Sequence, residues 1–454
     1  MPPRTSSNTQ LVPEAFPSAL RLSKCADVLT KSRLLLLLTL AVLASQPNAA
    51  HAQSNAKVAH QPALKPALIG YFPQWGIYNQ PQYLVKNLGT GTTPLVDQIN
   101  YAQGFVANGH CSIADPNADL NYTFTAEQSV DGKPDTLTQA FRGNLHQLQK
   151  LKRKFPNLRI LISLEGHSGD FADDAQPANR AAFVTSCIDT FLKGQFAPGI
   201  TIPNLFDGID LDWEYPHLPD AANYVALLKE FRRQMDALRP GLLLNVAVGP
   251  SPRMYEGTDM AEIGRLVDRI GLMAYDMSGP WSETTGFIAP LTASPNYNGG
   301  TVAHSVEAYL AAGVPAEKLL MGVPFYGYGW HQVPEDDNGL AQEGSPIHGD
   351  RPYSYIATVI PTSTLYRDPD SQTPWLFDGD TFWTYDDSLS ISHKARYALD
   401  HQLGGLMIWE LGEDNAASDL LHAAYQSLQT PTQPALSNAD EPSEGDSAPS
   451  APSR

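Results

Sequence analysis

The chain has 454 residues, 42% apolar and 17% charged, the make-up of a globular protein with one large domain or a few smaller ones. Its formal charge of -18 excludes nucleic acid and anionic lipid surfaces as partners, because both are held by clustered Lys and Arg. Neutral and cationic partners remain open.

In chain order the first element is Leu34 to Leu43 (LLLLLTLAVL), an apolar run behind Arg21, Lys24, Lys31 and Arg33, followed by Ala50-His51-Ala52 before Gln53. Basic region, short apolar region and A-x-A site are the three parts of a secretory signal peptide. The run is too short to span a bilayer as a helix. Residues 1–52 are therefore expected to be a leader, and the mature chain to be extracellular or periplasmic and free of the membrane. The stretch ahead of Arg33 is long for a signal, as a start site placed too far upstream would make it. Removal of the leader takes away Cys25 and leaves Cys111 and Cys187. Two cysteines in an oxidising compartment can pair, but their sequence separation does not establish that they meet, so two buried free thiols are the favoured reading and a disulfide the alternative. Neither has the CxxC or Cys/His spacing of a metal site.

Residues 53–65 read as a polar lead-in, and 429–454, rich in Pro, Ser, Ala and acid, as a disordered tail. Between them, short β-rich apolar runs alternate with amphipathic helical segments. The runs are 66–72, 97–106, 158–164, 206–213, 242–249, 269–275, 318–325 and 403–410, and the helical segments include 137–155, 179–193, 221–238 and 305–313. Eight strands buried on both faces and joined by helices predict an α/β fold, a closed parallel (β/α)8 TIM barrel over 66–428. A doubly wound open sheet is the alternative, but no GxGxxG follows the first strand. The interval from about 327 to 382 is too long for a βα loop. It carries β-like pieces of its own and predicts a small α+β insertion between strands seven and eight. A monomer is expected.

The stretch FDGIDLDWEYP, Phe206 to Pro216, holds Asp207, Asp210, Asp212 and Glu214. In a strand, side chains alternate faces with period two. Asp210, Asp212 and Glu214 therefore share one face, and Ile209, Leu211 and Trp213 the other. The apolar set packs under helices, so the acids line the barrel interior, roughly 6.6 Å apart at Cα. Glu214 ends the run at the C-terminal rim, where barrel enzymes place their chemistry. Asp207 has the opposite parity and reads as a structural hydrogen-bonding residue. Crowded carboxyls in a low dielectric retain a proton, and a carboxyl at the mouth with a raised pKa suits a general acid. A rigid strand offers neither glycine turns nor oxygen ligands spread around an ion, so no metal and no other cofactor is expected.

DGIDLDWE resembles the DxxDxDxE signature of glycoside hydrolase family 18, the family of many chitinases. IGYFPQW (69–75), INYAQGFV (99–106), MAYDMSGPW (273–281), KLLMGVPFYGYGW (318–330) and YDDSLSISHKARYALDHQLGGLMIWEL (385–411) resemble other blocks of that family, in order. The resemblance implies that Glu214 protonates the glycosidic oxygen and then activates water, while the substrate's own N-acetyl group is the nucleophile. It implies that Asp212 orients that group, Asp210 shares a proton with Asp212, and Tyr275 hydrogen-bonds the acetamido carbonyl. Asp276 would contact the same sugar and Trp409 would form the floor beneath it. Met273 is expected to line the site. Trp75 and Trp281 follow strands one and six, where indole rings can stack on sugar faces. Tyr71, Tyr326, Tyr328, Trp330 and Trp383 either extend that cleft or pack the insertion.

There are departures. SLEGHSGDF (163–171) places Glu165 and His167 where the family commonly has Gly and Trp, and Tyr328 stands where it often has Arg. The insertion is short, which favours internal over end cleavage. The resemblance implies a secreted chitinase cutting β-1,4 bonds between N-acetylglucosamine units, with chitin or a related glycan as partner. An endo-β-N-acetylglucosaminidase on N-glycans or a peptidoglycan-type substrate is one alternative, and a non-catalytic chitin-binding lectin another. The lectin reading conflicts with retention of Asp210, Asp212 and Glu214.

Overall fold

The computed structural model describes residues 65–166 and 168–429. The expected leader, most of the lead-in, the tail from 430 and His167 lie outside the described residues. Eight parallel strands form the barrel: β1 (Ala67–Pro73), β2 (Gln98–Ala107), β3 (Arg159–Glu165), β4 (Gly208–Asp212), β5 (Leu243–Val248), β6 (Arg269–Leu272), β7 (Leu319–Pro324) and β8 (Gly405–Trp409). They pair in the order β1-β8-β7-β6-β5-β4-β3-β2, and β2 returns to β1 to close the ring. The expected barrel is observed, with strand limits within a few residues of those read from the apolar runs.

Helix periodicity explains how the outer layer attaches. In the helix Ala221–Leu238, Tyr224, Leu227, Leu228, Phe231 and Met235 are buried, at the three- and four-residue spacing of one face. The helix Ser388–Asp400 starts on Asp387, whose carboxylate accepts from the N–H groups of Leu389 and Ser390. The helix expected from 137 begins only at Gly143. Gly143 has φ 69°, and a Cβ there would lie 2.4 Å from the Asp119 backbone. That left-handed turn stops the preceding residues from joining the helix.

The insertion follows β7 as an antiparallel sheet containing Tyr326–His331, Thr364–Arg367, Pro374–Phe377 and Phe382–Thr384, with the helix Tyr353–Val359. Trp330 and Trp383 are buried in it, Trp330 against Phe382 and Trp383 against Tyr355. For these two, packing is the role.

The expectation of two free thiols is corrected. The strand His110–Ile113 folds back on β2 and sets Cys111 against Cys187, at the end of the helix Arg180–Cys187, where the two form a disulfide. The contact depends on the antiparallel hairpin this strand makes with β2, which a sequence separation of 76 does not reveal. Among the described residues no helix is long and apolar enough to cross a membrane.

Candidate active site

The acidic stretch is β4 and its C-terminal continuation. Ile209, Leu211 and Trp213 are buried outward, with Trp213 stacked on Phe171 and edge-on to Tyr224. That packing sets the strand's rotation, so the alternate residues face the barrel axis. Asp210 is deepest and accepts from the Tyr71 hydroxyl at 2.6 Å and from Ser163 Oγ at 3.0 Å. Asp212 lies one repeat higher, with Oδ1 buried and lacking a hydrogen-bond partner among the described residues. Glu214 is exposed at the mouth. Asp207 lies outside this row: Lys152 Nζ stands 2.7 Å from it, and it accepts from the Ile160 N–H at 2.9 Å.

The electrostatics follow first from burial. Burial pushes the Asp210 carboxyl up to about 6, against the hydrogen bonds from Tyr71 and Ser163. Burial, then the charges of Glu214, Asp210 and Glu165, hold Asp212 well above the usual carboxylate range. A proton is therefore retained on the Asp210–Asp212 pair at the base of the row.

The row opens into a cleft of about 560 Å3, lined by Tyr71, Trp75, Gln103, Glu165, Asp212, Glu214, Tyr215, Pro250, Met254, Met273, Tyr275, Asp276, Tyr326 and Trp409. It stands at the C-terminal ends of the strands. Tyr275 follows β6, which ends at Leu272, and burial together with the Asp276 charge raises its phenol pKa, keeping the hydroxyl protonated as a donor. Asp276 takes φ 61°, a conformation that Asp tolerates better than most residues. It accepts from the Tyr326 hydroxyl at 2.7 Å, and burial raises its pKa. Trp409 ends β8 with its ring 5.2 Å from that of Tyr71.

The structure thus brings Asp212, Glu214, Tyr275, Asp276, Met273, Trp409, Trp75 and Tyr71 to one cleft, with Asp210 beneath. Tyr71 spends its hydroxyl on Asp210, which makes it a positioning residue as well as a wall. Trp281 differs: it is 60% exposed, lies edge-on to Tyr328 at 5.3 Å, and is not among the residues lining the cleft. Tyr326 and Tyr328 resolve toward the site, since both hydroxyls serve Asp276. Gln103, Tyr215, Pro250 and Met254 were missed by sequence reasoning. For Gln103 the cause is a register shift between Ala102 and Gly104 in the pairing of β2 with β3. A bulge inverts the period-two count beyond it. Tyr215 could have been found from its place next to Glu214.

The sequence profile of glycosyl hydrolases family 18 matches residues 67–414. The chain belongs to that family. Among its family 18 relatives, chitinase C of Streptomyces lividans is 36% identical over 371 residues, which is 77% of this chain and 58% of the relative. Chitinase A1 of Niallia circulans is 32% identical over 84% of this chain and 60% of its own length. The chain therefore spans less than two thirds of the curated relatives it matches first. The catalytic domain of psychrophilic chitinase B from Arthrobacter TAD20 superimposes with a TM-score of 0.73 at 29% identity, covering 80% of this chain and 95% of that one. An N-acetylglucosaminidase of family 18 from Paenibacillus barengoltzii aligns with a TM-score of 0.63 at 30% identity, over 80% and 99%.

Proposed function

We propose that the chain is a chitinase that hydrolyses β-1,4 bonds between N-acetylglucosamine units with retention, using the substrate's acetamido group as nucleophile. The observation that carries this reading is the inward row Asp210–Asp212–Glu214, buried at its base and exposed at its tip, opening under Tyr275 and Trp409. Glu214 gives a proton to the glycosidic oxygen as the bond to the anomeric carbon breaks. The acetamido carbonyl oxygen closes on that carbon, forming an oxazolinium ion. Asp212 is suited to hold the acetamido N–H, because its buried Oδ1 lacks a partner among the described residues and an unmet acceptor there favours a ligand donor. Asp210 shares a proton with Asp212, so negative charge can strengthen beside the cation as it forms. Tyr275 directs its hydroxyl to the acetamido oxygen, Asp276 holds the same sugar, and Trp409 supports its apolar face. Glu214 then takes a proton from water, which opens the ring ion from the face that the leaving group vacated.

The chitinase names of the relatives support chitin as the substrate, and the exposed Glu214 in a cleft beside a short insertion supports internal cleavage. The Cys111–Cys187 disulfide supports export, since such bonds persist in oxidising compartments. The Paenibacillus N-acetylglucosaminidase favours a second reading, in which short N-acetylglucosamine chains are the substrate. Turnover of colloidal chitin, chito-oligosaccharides and N-linked glycoprotein distinguishes these. Glu214→Gln is expected to lower kcat by about 10²–10⁴-fold while oligosaccharide binding persists. Unchanged turnover in that variant refutes the assignment, and release from glycoprotein alone overturns the substrate.

A further inference from the structure

A buried carboxyl behind the cleft wall has no part in the proposed reaction. Asp119, in the helical turn Asn117–Asn121, is 2% exposed. Its Oδ1 accepts from the hydroxyl of Tyr101, itself buried and stacked on Phe72. The buried amide of Gln74 has partners for both of its atoms when its nitrogen donates to Asp119 Oδ2 at 3.1 Å and to the Gln103 carbonyl at 3.2 Å. The Gln74 carbonyl in turn accepts from Asn144 Nδ2 at 3.0 Å. Burial pushes the Asp119 carboxyl up to about 8, against the hydrogen bond from Tyr101, so near neutrality it keeps its proton.

This cluster joins the cleft at two points. Trp75 follows Gln74 directly, Gln103 is the bulged residue of β2, and both line the cleft. A bulged residue drops out of the ladder, so pairing with β3 does not fix Gln103, and its carbonyl takes a donor from elsewhere. Gln74 supplies that donor. A glutamine side chain left to itself samples several rotamers, and anchoring its amide on a buried acceptor removes that freedom. Asp119 is the anchor. Trp75 and Gln103 stand at β1 and β2, whereas Asp212, Glu214 and Tyr275 come from β4 and β6 and their continuations. The anchored wall therefore bears on how a sugar chain lies in the cleft, not on the bond that breaks.

We infer that Asp119 is a positioning residue: through Gln74 it fixes Trp75 and the bulged Gln103, and so sets the affinity for N-acetylglucosamine chains that lie along that wall. This rests on the glycosidase reading above. The test is a double-mutant cycle read by calorimetric binding of the N-acetylglucosamine hexamer to Glu214→Gln. Asp119→Leu, of similar size, removes the acceptor and is expected to weaken binding about five- to tenfold, the size of one buried hydrogen bond. Asp119→Asn keeps one acceptor and one donor, as the protonated carboxyl does, and should restore most of that affinity. In a Trp75→Ala/Gln103→Ala background, Asp119→Leu should cost less than about twofold, because the residues it acts through are gone. With Glu214 in place, Asp119→Leu should raise KM by the factor seen in binding and leave kcat nearly unchanged. Gln74→Met, which cuts the bridge and leaves Asp119 intact, repeats the cycle if Asp119→Leu does not fold. The same loss in both backgrounds, a loss in Asp119→Asn equal to that in Asp119→Leu, or unchanged affinity with lowered thermal unfolding overturns the inference. Absence of hexamer binding to Glu214→Gln, together with no hydrolysis by wild type, would instead refute the glycosidase reading.

Discussion

Asp207 and Asp210 stand three residues apart at β4 and are surrounded by opposite chemistry. At the strand's entrance Asp207 meets Lys152 at 2.7 Å and Arg159 at 3.7 Å, and accepts a backbone N–H. Inside the barrel Asp210 meets the neutral Tyr71 and Ser163 hydroxyls and the Asn100 side chain, with Asp212 and Glu214 above it along the chain. The first arrangement neutralises a carboxylate and ties β3 to β4. The second buries Asp210 and Asp212 beside each other, so a proton stays on the pair. The barrel supplies cations where it needs cohesion and withholds them where protons must move.

The sharpest way to break this contrast is at the reactive end. Asp212→Asn removes the shared proton site while preserving shape, and kcat on N-acetylated oligosaccharides is expected to fall roughly 10²-fold or more, with little change in thermal unfolding. A loss of folding with retained specific activity would reverse the assignment of roles. On the cohesive side, Cys187→Ser opens the Cys111–Cys187 link, which closes a loop of 76 residues in sequence separation. A stability loss of about 2–5 kcal/mol is expected in denaturant titration, with kcat preserved in the folded fraction.

The paired substitutions Asp210→Asn and Asp207→Asn then test the contrast within one strand. Asp210 sits at about 6 in the folded chain, above its ordinary 3.8. A raised folded pKa contributes stability below about 4 that is lost as pH rises through about 6. Asp210→Asn removes that loss, so the variant should be more stable than wild type at neutral pH, by up to about 3 kcal/mol, and the gain should vanish toward pH 4. Asp207→Asn should instead lower stability at neutral pH by about 1–2 kcal/mol, as a charged hydrogen bond and a partly buried pair are lost. Melting curves across pH for both variants check this, and shifts of the same sign would contradict it.

Much of the site was legible in the sequence because β4 obeys one periodicity. Ile209, Leu211 and Trp213 want burial, and that alone turns Asp210, Asp212 and Glu214 inward and sends Asp207 the other way. The barrel was legible for the same reason, from apolar runs separated by helical faces. Features that break a period were hidden. The bulge between Ala102 and Gly104 brings Gln103 to the cleft, and the left-handed Gly143 delays a helix. Features set by three-dimensional neighbours were hidden too. Cys111 meets Cys187 through a hairpin, Trp281 turns onto Tyr328, and burial is the largest cause that raises the Asp212 carboxyl.

The central claim is that the acetamido group of the substrate, seated between Asp212 and Tyr275, is the nucleophile. Time-resolved proton NMR of the first products from an N-acetylglucosamine oligosaccharide tests it most directly. The account predicts that the new reducing end appears as the β-anomer and reaches the α-anomer only by later mutarotation. An α-anomer formed first would mean direct attack by water on the opposite face, and would contradict the role given to the Asp210–Asp212–Glu214 row.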